Sequence, residues 1–428
     1  MNDLTLSRLE EFRQLKDGIR GSEKHLIVGI DVAKDKHHAF FGTATGKTLY
    51  KRLIFDNSAT GFEKLVLTAE SVRVQYCMEH VVFSVEPTAN YHKPLGEFLI
   101  RRGHGVVLVG SSAVKNNREL LDGRWDKHDT KDAANVADLV SQGKCLFYDY
   151  PFQKVRDLRN LLSFKRRLKK EDHGLRMRIR NQLIAQYFPE MDRHMESSMA
   201  ENLAIVKWCL NPAEIAGKEY KDFFQMVTTR DRGSAQQQRL KAIWESAGSS
   251  IGCEVGQAVK FEAGMLVDSL KQIREDIKKT DAKINEVCLR FPEYEFLLSI
   301  PGFGPAVSAV TLGALGDPYR FKTGKQVLKL AGLDLSASRS GKNSETVTPV
   351  LSKKGKSDLR YALYQAALIA SVSNKHFIAY FTDKLRGRER ERGIKTKMRV
   401  KLTAKMLLIA WTLMKKKERF DPVHLKIN

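Results

Sequence analysis

A chain of 428 residues with 42% hydrophobic side chains has room for two or three domains with real cores, which excludes a disordered or low-complexity polypeptide. Lys and Arg number 73 against 50 Asp and Glu, a net charge of +23 that says little about fold but points to polyanionic partners, phosphate backbones first among them. The five cysteines, at 77, 145, 209, 253 and 288, form no CxxC pair, so neither a zinc site nor a disulfide framework is expected, and a reducing cytoplasm is the expected setting.

Residues 1–22 read as an N-terminal extension whose acidic start, MNDLTLSRLEEF, lacks the apolar core of a signal peptide. His25–Val32 (HLIVGIDV) is a buried strand by its run of branched apolar residues, and it delivers Asp31 to a sheet edge. His38–Gly42 and Thr48–Phe55 follow as strands around an ATGK turn. After a helical stretch comes Val81–Val85, closed by Glu86 and a proline that cannot extend a central strand. Pro94–Arg101 reads as a helix and Gly105–Val109 as a further core strand. Hairpin strands followed by strand–helix alternation predict a mixed sheet flanked by helices over 23–150.

His128–Val140 predicts a helix on which Asp129 and Asp132, three apart, share one face. Taken alone, the pair reads equally well as an N-capping aspartate with a solvated neighbour. With Asp31 and Glu86 it forms a set of four carboxylates, costly to assemble unless cations neutralise it. All-oxygen ligands suit magnesium, one ion or two, with manganese as an alternative.

Residues 151–290 predict a coiled-coil helical region with an insert near 188–260, to which we assign no chemistry. Leu266, Leu270, Ile273, Ile277, Thr280, Ile284 and Val287 repeat at alternating steps of four and three, a heptad seam interrupted only by Thr280. Val155–Ile184 is a second, very basic helix. Its seam of Leu158, Leu161, Leu168, Leu175 and Ile179 is weakened by Lys165 and Asp172. The two helices can pair within a chain or between protomers, and an ordinary helical bundle is the alternative.

Residues 291–428 predict a mainly helical domain. Leu297–Leu315 carries Pro-Gly-Phe-Gly between apolar segments, a helix-hairpin-helix pattern or a plain helix turn. In the former, Gly302 and Gly304 allow the bend that offers helix N–H groups to a phosphate. Ser340 stands in a loop between Arg339 and Lys342, cations suited to holding a phosphodiester. Without further context it is one loop serine among Ser336, Ser338 and Ser344. Lys353, Lys354, Lys356 and Arg360 precede an apolar helix, and a second basic run spans 384–405; such runs hold phosphates without reading sequence. Trp411 and Phe420 read as core. The longest apolar stretches fall short of the ~18 residues of a membrane span.

The segments GIDVAKDKH, SVEPT and HDTKDA resemble the DEDD transposases of the insertion sequence 110 type, and the stretch from GDPYRF through SGK to KKGKSDLR resembles the same family's back domain. The resemblance covers about 25–185 and 265–375 well. It implies an α/β RNase H-like (RuvC-like) front domain, a coiled-coil dimer contact in the middle, and a mainly α transposase domain behind. It aligns Asp31, Glu86, Asp129 and Asp132 with the metal-binding acids, while Asp35, Asp122, Asp126 and Asp138 fall off the motif. It makes Ser340 the nucleophile, brought from another protomer to form a phosphoserine link with DNA.

The activity so implied is site-specific recombination of the element between donor and target DNA. The partners it implies are a noncoding bridge RNA, a second copy forming a homodimer, and a tetramer at synapsis. The residues themselves show only that nucleic acid is the expected partner, in the cytoplasm and at the nucleoid. The rivals are a metal-dependent branched-DNA endonuclease using water, a related DNA invertase, and a nucleic-acid-binding protein without catalysis.

Overall fold

A computed structural model of the chain describes residues 3–122, 129–195, 200–208, 210–336 and 349–425, with the backbone alone at 3–6, 121–122 and 129–130. The chain divides into two compact units, Met1–Phe152 and Gln153–Asn428.

The front unit is a six-stranded mixed sheet with helices on both faces. No element is predicted over 1–22, yet the structure forms helix α1 (Asp3–Gly18) there. Strands β1 (His25–Asp31), β2 (Lys36–Thr43) and β3 (Thr48–Asp56) form an antiparallel meander. Helix α2 (Ala59–Gln75) follows, entered through Ser58, whose hydroxyl accepts from the Gly61 N–H. Next come β4 (His80–Val85), helix α3 (His92–Arg101), β5 (Gly105–Leu108), helices α4 (Ser111–Asp122) and α5 (Asp129–Ser141), and the short β6 (Leu146–Phe147). The sheet order is β3-β2-β1-β4-β5-β6, with β4 parallel to β1 and β5 parallel to β4.

β1 is apolar throughout because both of its faces are covered. Leu26, Val28 and Ile30 pack with Phe62, Leu65, Leu95 and Leu99 of α2 and α3. Ile27 faces the other way, into a core with Ile19, Val114, Val136 and Val140. Gly29 shares that second face. A Cβ there would lie 2.1 Å from the Ala133 carbonyl oxygen and 2.7 Å from the Ala137 nitrogen, so only glycine lets α5 lie directly on β1.

The back unit begins with helix α6 (Gln153–Arg178), which runs through a π-helical turn (Ile179–Ile184) into the one-turn α7 (Ala185–Tyr187). Helices α8 (Ala200–Trp208), α9 (Pro212–Ala216), α10 (Tyr220–Val227) and α11 (Ser234–Ala247) lead to the long α12 (Gln257–Cys288). The heptad seam of α12 is used within the chain, against α6. Lys165 pairs with Asp281, and Asp172 accepts from Arg274 at 3.2 Å. Seven residues forward on α6 therefore meet seven residues back on α12, an antiparallel register. The insert is a helical core of its own, in which Phe188, Ile205, Phe223 and Ile243 pack with Leu175, Ile179, Val267 and Leu270 of the two long helices.

The remainder comprises α13 (Glu293–Leu298), α14 (Pro305–Leu315), α15 (Gly324–Ala331), a two-stranded ribbon of β7 (Leu335–Ser336) and β8 (Val350–Leu351), α16 (Ser357–Ser373), α17 (Lys375–Leu385) and α18 (Ile394–Lys416). Its core joins Leu158 of α6 and Val287 of α12 to Leu312, Leu363, Ala366, Met406 and Leu413. Trp411 and Phe420 sit at its margin, Trp411 donating to the Pro318 carbonyl at 2.8 Å and Phe420 stacking on Phe377. Among the described residues no helix is long and apolar enough to cross a membrane.

Candidate active site

Asp31 closes β1, and Glu86 follows the last residue of β4. The two strands are adjacent and parallel, with Ile30 opposite Val85, so both acids leave the sheet at the same edge. Both are half-buried. Strand alternation puts Asp31 on the face of Gly29; Gly29 lies opposite Ser84, and one further step of the alternation puts Glu86 on that face too.

This is the face that carries α5. At the far end of that helix the Gln142 carbonyl accepts from Arg20 Nε at 2.9 Å, beside the lead-in to β1. The helix thus runs antiparallel to β1, and its first turn, opening at Asp129, lies toward the Asp31 end. The side chain of Asp129 lies outside the described residues. A helix N-terminus over an acidic sheet edge also carries a favourable partial positive charge there.

Asp132 is only 2% exposed, and its Oδ1 accepts from Arg118 Nε of α4 at 2.9 Å. Three further hydrogen bonds follow along the same pair of helices. Asn117 Nδ2 donates to Asn135 Oδ1 at 2.8 Å and to Asp138 Oδ2 at 2.7 Å, and Asn135 Nδ2 donates to the Val114 carbonyl at 2.7 Å. Residues 132, 135 and 138 share one face of α5, and α4 grips all three. Asp138, a competitor by sequence, is held in the same clamp as Asp132. Asp35 is exposed in the β1–β2 loop, and the side chains of Asp122 and Asp126 lie outside the described residues.

Two residues at this site were not singled out by sequence. Arg118 sits on a helix the apolar pattern does not announce, although its spacing from the Asp132, Asn135 and Asp138 series was available. His38 lies directly across the β1–β2 pair from Asp31, a relation that needs the strand register. The carboxylates at this edge offer oxygen donors, which fit a hard divalent cation in kind. Among the described residues no three His, Cys, Asp or Glu side chains stand close enough to hold an ion.

In the back unit, Ser340, Arg339 and Lys342 lie outside the described residues, as do Ser338 and Ser344; residues 337–348 connect β7 to β8. Ser336 is exposed at the end of β7. Gly302 has φ +85°, and a Cβ on it would meet the Ala366 carbonyl oxygen at 2.5 Å, so the Pro-Gly-Phe-Gly turn is pressed against α16. Gly304 is exposed at the start of α14. Lys353, Lys354 and Lys356 are exposed, whereas Arg360 is half-buried and donates to the Ala331 carbonyl at 2.8 Å, closing the end of α15. Cations of α6 and of the π-helical turn that follows it are likewise engaged inside the unit: Arg159 on the Gly313 carbonyl, Arg166 on Asp358, and Arg180 on Asp192.

Comparison with known proteins assigns both halves. Residues 28–189, which include all four acids, match the profile of the DEDD transposases of the IS110 type. Residues 294–382, which include Gly302, Gly304 and Ser340, match that of the transposase IS116/IS110/IS902 family. The chain is 25% identical over 399 residues to an insertion element IS116 uncharacterized 44.8 kDa protein of Streptomyces clavuligerus, covering 92% of this chain and 96% of that one. It is 24% identical over 336 residues to an insertion element IS110 uncharacterized 43.6 kDa protein of Streptomyces coelicolor, covering 74% and 77%. Two profiles of one family, matched in order on either side of the helical insert, with a relative aligned along nearly the whole chain, place this protein in the IS110 family of transposases.

Proposed function

We propose that the chain is a site-specific DNA recombinase that cuts and rejoins strands through a covalent link between Ser340 and DNA. The observation that carries the reading is the convergence of Asp31 and Glu86 on one face of one sheet edge, with the Asp129 end of α5 directed toward it. An antiparallel meander followed by parallel β4 and β5 supports an RNase H-like, RuvC-like front unit. The tight turn between α13 and α14 supports a helix-hairpin-helix, with the exposed Gly304 and the first turn of α14 meeting a phosphate.

Asp31, Glu86, Asp129 and Asp132 would hold magnesium, which when bound supplies charge neutralisation for a phosphodiester undergoing displacement. In the proposed chemistry the Ser340 Oγ bonds to phosphorus while the bond to one deoxyribose oxygen breaks. The serine loses its proton to solvent base, and the freed deoxyribose oxygen gains one. Attack by another strand's hydroxyl on the phosphoserine reverses these steps, so the bond energy is conserved for rejoining. Arg339 and Lys342 flank the serine and offset the developing negative charge. Family membership supports donor and target DNA as substrates. The sequence resemblance adds a noncoding bridge RNA paired with both, and a homodimer that becomes a tetramer at synapsis.

The test is DNA cleavage in the presence of magnesium, resolved on a denaturing gel. Wild-type protein yields a covalent protein–DNA adduct, and Glu86→Gln or Asp31→Asn yields neither cleavage nor adduct. Cleavage without any adduct favours the water-dependent endonuclease instead. Tight binding without cleavage favours a non-catalytic nucleic-acid-binding protein.

A further inference from the structure

A cleft of about 450 Å³ opens in the back unit beside β8 and the start of α16. Leu351, Lys353, Ser357, Arg360, Tyr361 and Tyr364 are among the residues lining it. Three features define what it can hold. Its size admits one nucleoside and excludes a base-paired duplex, which no cleft of a few hundred cubic ångströms accepts. Tyr361 and Tyr364, three apart on α16, present their rings on one helix face, and Tyr361 is 69% exposed. A tyrosine so open contributes little to a core and much to a stacking platform.

The charge is equally one-sided. Lys353 and Arg360 line the cleft, and no acid lines it among the described residues. The acids nearest in sequence are matched elsewhere: Asp358 accepts from Arg166 at 2.8 Å, and Asp334 takes the Ser352 hydroxyl. Rings to stack on beside cations to hold a phosphate are the recognition chemistry of a single nucleotide taken out of its helix. The cleft lies beside the β7–β8 ribbon, whose two strands are joined by the segment that contains Ser340.

We propose that this cleft seats one unpaired nucleotide of the DNA strand being cut, its base on the Tyr361 ring and its phosphate toward Lys353. The seat would fix the strand at the foot of the segment bearing the proposed nucleophile. The inference rests on the recombinase reading, and the experiment separates the two. Full-length protein is titrated with short single-stranded DNA, short single-stranded RNA and duplex DNA. Single strands carrying 5-iododeoxyuridine, or 5-iodouridine in the RNA, are photocrosslinked and the site is mapped by mass spectrometry.

Crosslinks to Tyr361 or Tyr364 are expected from DNA. Tyr361→Ala should weaken single-stranded DNA binding about 5- to 150-fold, the worth of one base–aromatic stack, while duplex affinity is unchanged and Tyr361→Trp restores binding. The exposed position allows the variant to fold, which an unaltered melting temperature verifies. Crosslinks elsewhere, equal loss on duplex and single strand, or no loss at all would overturn the inference. So would crosslinking by RNA alone. A change in oligomeric state in light scattering, with DNA affinity intact, would show that the ring serves a protein contact and would also overturn it. Failure of the wild-type protein to bind any DNA would instead sink the recombinase reading itself.

Discussion

Arg118 and Asp132 form the ion pair on which the candidate site depends most directly. The carboxylate is almost fully buried and the guanidinium about one quarter exposed, so removing the cation strands a charge that water cannot reach. Arg118→Met should cost about 3 kcal/mol of stability, and the double variant with Asp132→Asn should recover part of it. A double-mutant cycle by chemical denaturation measures the coupling; additive effects would mean that the pair does not hold α5.

At the same scale, partly buried histidines of the front unit oppose acidification. Burial holds His37 below the ordinary imidazole range, and burial does the same for His25, His92 and His104. A base with a lowered folded pKa favours the neutral form in the native state. Its contribution is complete above the unfolded value of about 6.5 and is lost as pH falls through the lowered folded values. The melting temperature should therefore fall from pH 7 to pH 5, and the fall should be shallower in His37→Gln. Identical slopes for the two proteins would remove His37 from the account.

Among elements, α5 does the most for the site, and its seating on β1 hangs on Gly29. Gly29→Ala forces a methyl into the Ala133 carbonyl, so the helix must lift or tilt, at a cost of about 1–3 kcal/mol. Because that helix carries Asp129 and Asp132, activity should fall further than stability does. Thermal denaturation and a cleavage assay on one preparation check this, and loss of stability with full activity would contradict it.

Strands β1, β4 and β5 were legible in the sequence because they are covered on both faces and read as largely apolar runs, whereas the two-residue β6 was not. Asp31 and Glu86 were legible because each stands where such a run stops. Helices α1 and α4 were not: α1 carries LEEFRQLK, half of it charged, and α4 buries little beyond Val114 and Asn117. Arg118 was missed with α4, and His38 because strand register is a tertiary property.

The seam of the long helices shows the reverse case. Lys165 and Asp172 looked like flaws in the α6 heptad, yet they are the residues that Asp281 and Arg274 of α12 answer. Polar seam positions of this kind fix register at some expense of stability. The insert over 188–260 was opaque because its core is assembled from several short helices, none with a long apolar period, packed on two long ones.

On the scale of the whole molecule, the net charge of +23 is not uniformly available to nucleic acid. Along α6 and the π-helical turn after it, Lys165, Arg166 and Arg180 pair with Asp281, Asp358 and Asp192, while Lys353 and Lys354 stand exposed and, among the described residues, without an acid beside the cleft and the β7–β8 ribbon. DNA affinity should therefore fall steeply with salt, and Lys353→Ala with Lys354→Ala should reduce the slope by about two. An unchanged slope would place the phosphate contacts elsewhere.

The account stands on one covalent bond, and the most direct measurement is its location. Protein trapped on DNA in magnesium is digested with nuclease and trypsin, and the peptide that retains a nucleotide is identified by mass spectrometry. The account predicts the nucleotide on Ser340 and none in Ser340→Ala. A nucleotide on any other residue, or an adduct that survives that substitution, would contradict it.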